Sequence, residues 1–206
     1  MVASGQNGQK PQIFLWDATT AKVISSKRLP KGSRLVTAIG ISATDKYICA
    51  SDAAEKITCH IFEVDGGKAA IATVAINMKV VHLAWSPLHE DGFGTAGKDH
   101  VTMCTLGADK KVKMTKGKAK GGKIESQASI AWLNDKQFAN HIITGASDGK
   151  VYHWAGDSVV NAYDCCEKGA VTSVACRVDQ KAGGEVVIAG GKDKSLTIFK
   201  FNNGLT

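Results

Sequence analysis

Aromatic residues make up only 6% of the 206-residue sequence, and no run of about 20 apolar residues, the length a membrane-spanning helix needs, occurs anywhere. The N-terminus, Met1-Val2-Ala3-Ser4-Gly5-Gln6, lacks the charged start and apolar centre of a secretory signal. A cytoplasmic protein with no membrane partner is the expectation. The six cysteines (Cys49, Cys59, Cys104, Cys165, Cys166, Cys176) fit no CxxC-type zinc spacing. They read as reduced, buried side chains that act as small apolar residues. Cys165 and Cys166 would point to opposite faces if they lay on a strand. Of the histidines, His82, His141 and His153 stand in no metal-ligand or nucleophile motif, and Gly190-Gly191-Lys192 lacks the spacing of a phosphate-binding loop. No catalytic, cofactor-binding or metal-binding residue is therefore expected, and the chain reads as non-catalytic.

What is present is a repeated hairpin. Thr144-Gly145-Ala146 is small and apolar, Ser147-Asp148-Gly149 is turn chemistry, and Val151 to Trp154 has the β-branched and aromatic content that suits a half-buried strand. The pattern returns at Ala189-Gly190-Gly191-Lys192-Asp193 through Phe199, and less cleanly at Thr95-Ala96-Gly97-Lys98-Asp99 through Cys104. The turn carboxylates Asp99, Asp148 and Asp193 lie 49 and 45 residues apart. A second landmark, the innermost-strand positions Ile41, Trp85, Trp132 and Cys176, has spacings of 44, 47 and 44. A period in the forties with a hairpin in each repeat marks an all-β propeller of WD40-type blades, each a four-stranded antiparallel sheet. At about 40 to 45 residues per blade, the chain holds four to five.

In chain order, residues 1 to 34 read as an incomplete blade without its innermost strand, containing Gln12 to Leu15 followed by the Trp16-Asp17 pair typical of a third strand. Residues 35–79, 80–125 and 126–169 read as blades, and 170–206 as a last blade that lacks its outer strand. Eighteen strands and no helix are expected. Asp52 and Glu55 compete for one turn position, Gly92 to Gly97 is a weak, glycine-rich strand, and Lys110 to Lys123 reads as an outer strand in its first part and an exposed, mobile loop in the rest. An open arc of blades, or closure by another copy of the chain, follows from the missing strands. Asp99, Asp148, Asp193, Trp16, Asp17 and Trp154 are structural, with the aspartates capping turns.

Formal net charge is +7, which favours acidic partners. The densest cations are Lys110, Lys111, Lys113, Lys116, Lys118, Lys120 and Lys123, the candidate contacts for such a partner. A solvated surface loop is the plainer reading of a charge run. Nucleic acid is a weaker fit, because no aromatic interrupts the cluster to stack on bases.

The blades depart from regular WD40 repeats: Phe62-Glu63 and Cys104-Thr105 stand where a Trp-Asp pair would close the third strand. Cys166-Glu167-Lys168-Gly169 stands where Gly-His usually precedes the first strand. Val2-Ala3-Ser4-Gly5-Gln6, then Pro11-Gln12-Ile13-Phe14-Leu15-Trp16-Asp17, resembles the start of the first propeller in the echinoderm microtubule-associated protein-like (EMAP-like) family. His141 to Gly149 and Ala189 to Asp193 are similar to that family's Thr-Gly-Asp-Ser-x-Gly and Gly-Gly-Lys-Asp turns. The resemblance implies part of the first of two tandem propellers, a cytoskeletal location and binding to tubulin or microtubules. A generic WD40 protein–protein scaffold and a nucleic-acid-binding propeller are the alternatives.

Overall fold

The computed structural model describes residues 1–119, 122–179, 184–201 and 205–206. Among these, alternating apolar segments separated by Gly, Asp and Asn turns form eighteen strands in five antiparallel sheets. The first sheet comprises β1 (Val2–Gly5), β2 (Gln12–Trp16) and β3 (Val23–Arg28). The second comprises β4 (Val36–Ile41), β5 (Tyr47–Asp52), β6 (Thr58–Glu63) and β7 (Ala72–Ala75). The third holds β8 (Val80–Trp85), β9 (Gly92–Gly97), β10 (His100–Leu106) and β11 (Val112–Lys116). The fourth holds β12 (Gln127–Trp132), β13 (His141–Ala146), β14 (Lys150–Ala155) and β15 (Ser158–Asp164). The fifth is β16 (Val171–Asp179), β17 (Gly184–Gly191) and β18 (Leu196–Phe201). Every sheet is ordered as the chain runs, so each is a meander. The described residues also contain one short 3-10 turn, Lys136–Phe138, whose capping Asp135 Oδ1 accepts from Gln137 N at 2.9 Å.

The core lies between sheets, where each one packs on the next. Ile13 and Leu15 of the first meet Ile48, Ala50 and Phe62 of the second. Cys59 and Ile61 of the second meet Leu83 and Trp85 of the third, and Val101 of the third meets Ile130 and Trp132 of the fourth. Val151 of the fourth then meets Val171 and Val174 of the fifth. Burying a side chain of this size contributes roughly 2–3 kcal/mol, against about 1 for a hydrogen bond, so apolar packing sets the stacking. The hydrogen bonds fix its register. Trp85 Nε1 donates to Gly40 O and Trp132 Nε1 to Ala84 O, each at 2.9 Å across a junction.

The glycine-rich Gly92–Gly97 segment is not weak: it is a regular strand, buried throughout. A Cβ on Gly94 would stand 2.6 Å from Ile130 Cδ1, so the small residue lets the fourth sheet approach. The first junction has its own fastener. Lys27 is 1% exposed, and its ammonium donates to Val64 O, Gly66 O and Gly67 O at 2.7, 2.8 and 3.3 Å. Burial lowers the pKa of this amine, and the three carbonyls take up its donors.

Candidate interaction surfaces

In each sheet the hairpin turn between the second and third strands of the blade meets the connection that leads into a neighbouring inner strand. Lys98 N donates to Lys79 O, Ser147 N to Ser126 O, Lys192 N to Ala170 O and Ala53 N to Leu35 O, all between 2.8 and 3.1 Å. Gly8 N to Arg34 O and Cys166 N to Gly149 O, both 2.9 Å, link one blade to the next. These bonds gather the turns into one rim, here termed the turn face. Asp148 shapes its turn through Oδ1, which accepts from Lys150 N at 3.2 Å, and Oδ2, which accepts from Tyr152 OH at 2.6 Å. Asp193 accepts from Ser195 N at 3.0 Å and Glu167 N at 3.2 Å, and its bonds from Ser195 hold its carboxyl below the usual carboxylate range. Asp99 accepts from Ser126 Oγ at 2.9 Å.

On the opposite side of the first blade, Asp17 Oδ1 accepts from Thr19 N and Thr20 N at 2.8 and 2.7 Å. Trp16 Nε1 donates to Ser4 Oγ at 2.7 Å, and Trp154 makes the equivalent bond to Thr144 Oγ1 at 2.9 Å. The two tryptophans thus occupy matching places in the first and fourth sheets.

The lysine run is held more firmly than its composition implies. Lys113 and Lys116 lie exposed on β11, while Lys110 pairs with Glu63 at 3.1 Å and Lys111 with Asp109 at 3.3 Å. Lys118 pairs with Asp157, and Lys123 with Glu125, each at 2.8 Å. Such exposed pairs add little stability, but each carboxylate cancels a charge the cluster would otherwise project. Instead of starting a mobile loop, Gly117 N donates to Val101 O at 2.8 Å and Lys118 N to Asp157 O at 2.6 Å. Lys120 lies outside the described residues.

A second set of cations, which forms no run in the sequence, converges on the turn face of the first two sheets. Lys10, Arg28 and Lys31 line one hollow of about 740 Å³; Lys31, Arg34 and Lys56 line an adjoining one of about 730 Å³, and the two share Pro30 and Lys31. All five side chains are exposed, and among the described residues none is ion-paired with a carboxylate. The floor includes Asp52, which is 2% exposed and accepts from Ser33 Oγ at 2.7 Å and Thr58 N at 3.0 Å. His60 Nε2 lies 3.0 Å from the same carboxylate. Asp52 therefore holds the turn position for which Glu55 competes, and Glu55 is left exposed at the groove.

No family model matches the sequence. The chain is 33% identical over 201 residues to the ciliary WD repeat-containing protein ctxp80 of Euplotoides octocarinatus, a match that takes in 96% of this chain. It spans about a quarter, 26%, of that relative's length. Its fold superposes on the Cps50 (Swd1) β-propeller domain of Myceliophteria thermophila with a TM-score of 0.76 over 98% of this chain and 62% of the other, at 15% identity. The chain is a WD-repeat β-propeller protein.

Two further clusters sit inside these WD-repeat blades. His141 Nδ1 and His153 Nε2 are 2.8 Å apart at the junction of the fourth and fifth sheets, with Phe201 edge-on to His153 at 5.0 Å. Burial first, and then the neighbouring His141, push His153 down to about 4; burial also lowers His141. Only one imidazole can donate the shared proton, so the pair is structural in its neutral form. Cys49, Cys59 and Cys104 are buried together between the second and third sheets, and burial pushes the Cys49 and Cys104 thiols up, away from the reactive thiolate. Cys165 and Cys166 are half-buried and follow β15 rather than lying on a strand, so the opposite-face expectation does not apply to them. Among the described residues no group of three or more His, Cys, Asp or Glu side chains could hold a metal ion.

Proposed function

We propose that this chain is a non-catalytic, EMAP-like interaction module that docks on an acidic cytoskeletal protein, with tubulin or a microtubule as the partner. The observation that carries this reading is the turn face, where exposed Lys31, Arg34, Lys56, Lys79, Lys98 and Lys168 share one rim. The same rim also holds Glu55, Asp99, Asp148 and Glu167, and the turns at the other end of the sheets carry Asp45, Asp65, Asp91 and Asp109. A protein of net charge +7 that carries these unpaired cations on one rim attracts an acidic surface over about one Debye length, roughly 8 Å at physiological salt. The match to a ciliary WD-repeat protein supports a cytoskeletal setting. Lys113 and Lys116, exposed on β11, are the members of the lysine run left to contribute.

Co-sedimentation with stabilised microtubules, intact and tail-cleaved, tests this across a salt series. The expected result is pelleting that weakens with salt and with removal of the acidic tails. A folded sample that stays in the supernatant at low salt overturns the tubulin reading and leaves a WD-repeat scaffold for other proteins.

A further inference from the structure

We infer that the groove formed by Lys10, Arg28, Lys31, Arg34 and Lys56 is a binding site for an extended acidic peptide segment. Three observations converge on it. The two hollows lie side by side, sharing Pro30 and Lys31, and together run from the first sheet to the second; each is large enough for several side chains. Its cations come from three separate segments: the β1–β2 turn, the end of β3 with the connection to β4, and the β5–β6 turn. None of them is paired among the described residues, whereas most of the described lysines in the Lys110 to Lys123 run are. The groove is therefore the concave place on the turn face where unspent positive charge is concentrated.

The chemistry selects polypeptide carboxylates. Arg28 and Arg34 offer planar forks that match a carboxylate bidentately, and the lysines supply point charges between them. The buried carboxylate in the floor, Asp52, is already engaged by Ser33, Thr58 and His60, which leaves Glu55 as the exposed negative group on the rim. A single-stranded nucleic acid would also meet the charge requirement, but the lining of both hollows contains no Phe, Tyr or Trp on which bases could stack. Rigid walls favour the site further. Leu29 and Pro11 are buried beneath it, and the backbone of Gly8 and Arg34 is hydrogen-bonded across the two blades. This site deepens the acidic-partner reading above by naming where the partner sits, and it does not require that partner to be tubulin.

Fluorescence anisotropy with a labelled peptide of about ten glutamates, set beside a deoxythymidine strand of equal charge, is the experiment. Arg34→Glu/Lys56→Glu should weaken peptide binding by about tenfold or more, whereas Lys113→Glu/Lys116→Glu, with the same change in net charge, should alter it by about twofold or less. Glu55→Gln should tighten it. If charge reversal destabilises the chain, Arg34→Gln/Lys56→Gln carries the same comparison. Equal losses in groove and β11 variants overturn the inference, because net charge alone would explain the binding. So does a DNA strand that binds as tightly as the peptide and loses affinity in the same groove variant. Peptide binding that survives in a chain that fails to pellet with microtubules removes the tubulin reading and leaves the groove in place.

Discussion

The fourth and fifth sheets present the same strand register in opposite circumstances. Val151 pairs with Gly145 and His153 with Ile143 in the fourth; Leu196 pairs with Gly190 and Ile198 with Ile188 in the fifth. Val151 and His153 are 0% and 2% exposed because the fifth sheet covers them. Leu196 and Ile198, at 69% and 61%, face outward. The residue types in the fifth sheet are as apolar as those in the fourth, so the sequence at these positions does not decide burial. The next sheet does. A WD-repeat blade is thus half of an interface, and its stability at a given position depends on whether a neighbour is stacked there.

The sharpest way to break that comparison is a charge under the covered face. Val151→Asp should cost about 3–5 kcal/mol, since the carboxylate would be buried beside Val171 and Val174 without a partner. Urea unfolding of the variant measures it. A loss below about 1 kcal/mol would mean that the fifth sheet does not hold its place on the fourth in solution.

The polar fastening of the same junction comes next. Glu185, 2% exposed on β17, accepts from Asn134 N at 2.6 Å and Asn134 Nδ2 at 2.7 Å through Oε1, and from Asp135 N at 3.1 Å through Oε2. Glu185→Ala strands these donors and should cost about 2–3 kcal/mol. Hydrogen exchange should then quicken in β16 to β18 before it does in β12 to β15, because the carboxylate belongs to the fifth sheet and its partners to the fourth.

Acid should loosen the junction by a smaller amount. His153 is neutral in the fold, with its pKa pushed down to about 4, whereas an unfolded histidine titrates near about 6.5. Below the unfolded value the unfolded chain binds the extra proton, so this contribution is complete above about pH 6.5 and is lost as pH falls towards 4. Allowing for solvent screening near the pair, about 2 kcal/mol should disappear over that window. His153→Phe should flatten this part of the pH–stability curve; an unchanged slope would assign it to other groups, His82 and His100 among them, whose values burial also lowers.

These contrasts mark what could be read from the residues. The hairpins at Asp148 and Asp193 are legible because turn and strand chemistry are local, and the period follows from them. Gly92 to Gly97 misleads because its central glycine, Gly94, answers to Ile130, more than thirty positions away in the chain, and not to its own strand. The lysine run misleads in part in the same manner: its density is a sequence property, and Asp109 and Glu125 pair it locally, but Glu63 and Asp157 arrive from other sheets. The groove cations, spread from Lys10 to Lys56, gain their meaning only when three connections meet on the turn face. Local chemistry carries the fold, and convergence carries the site.

The smallest expected effect completes the opening comparison. Leu196→Asp places the same carboxylate at the register position of Val151, but on a face where water already reaches the side chain. Its cost should stay within about 0.5 kcal/mol, the range of ordinary surface substitutions. Leu196 and Ile198 together form an apolar stripe, so the double variant Leu196→Asp/Ile198→Asp should also lower the binding of a hydrophobic dye while leaving the unfolding midpoint almost unmoved. A loss approaching that of Val151→Asp would show that something covers the fifth sheet in solution. The two aspartates, one residue type at one register position in successive blades, therefore measure the neighbour and nothing else.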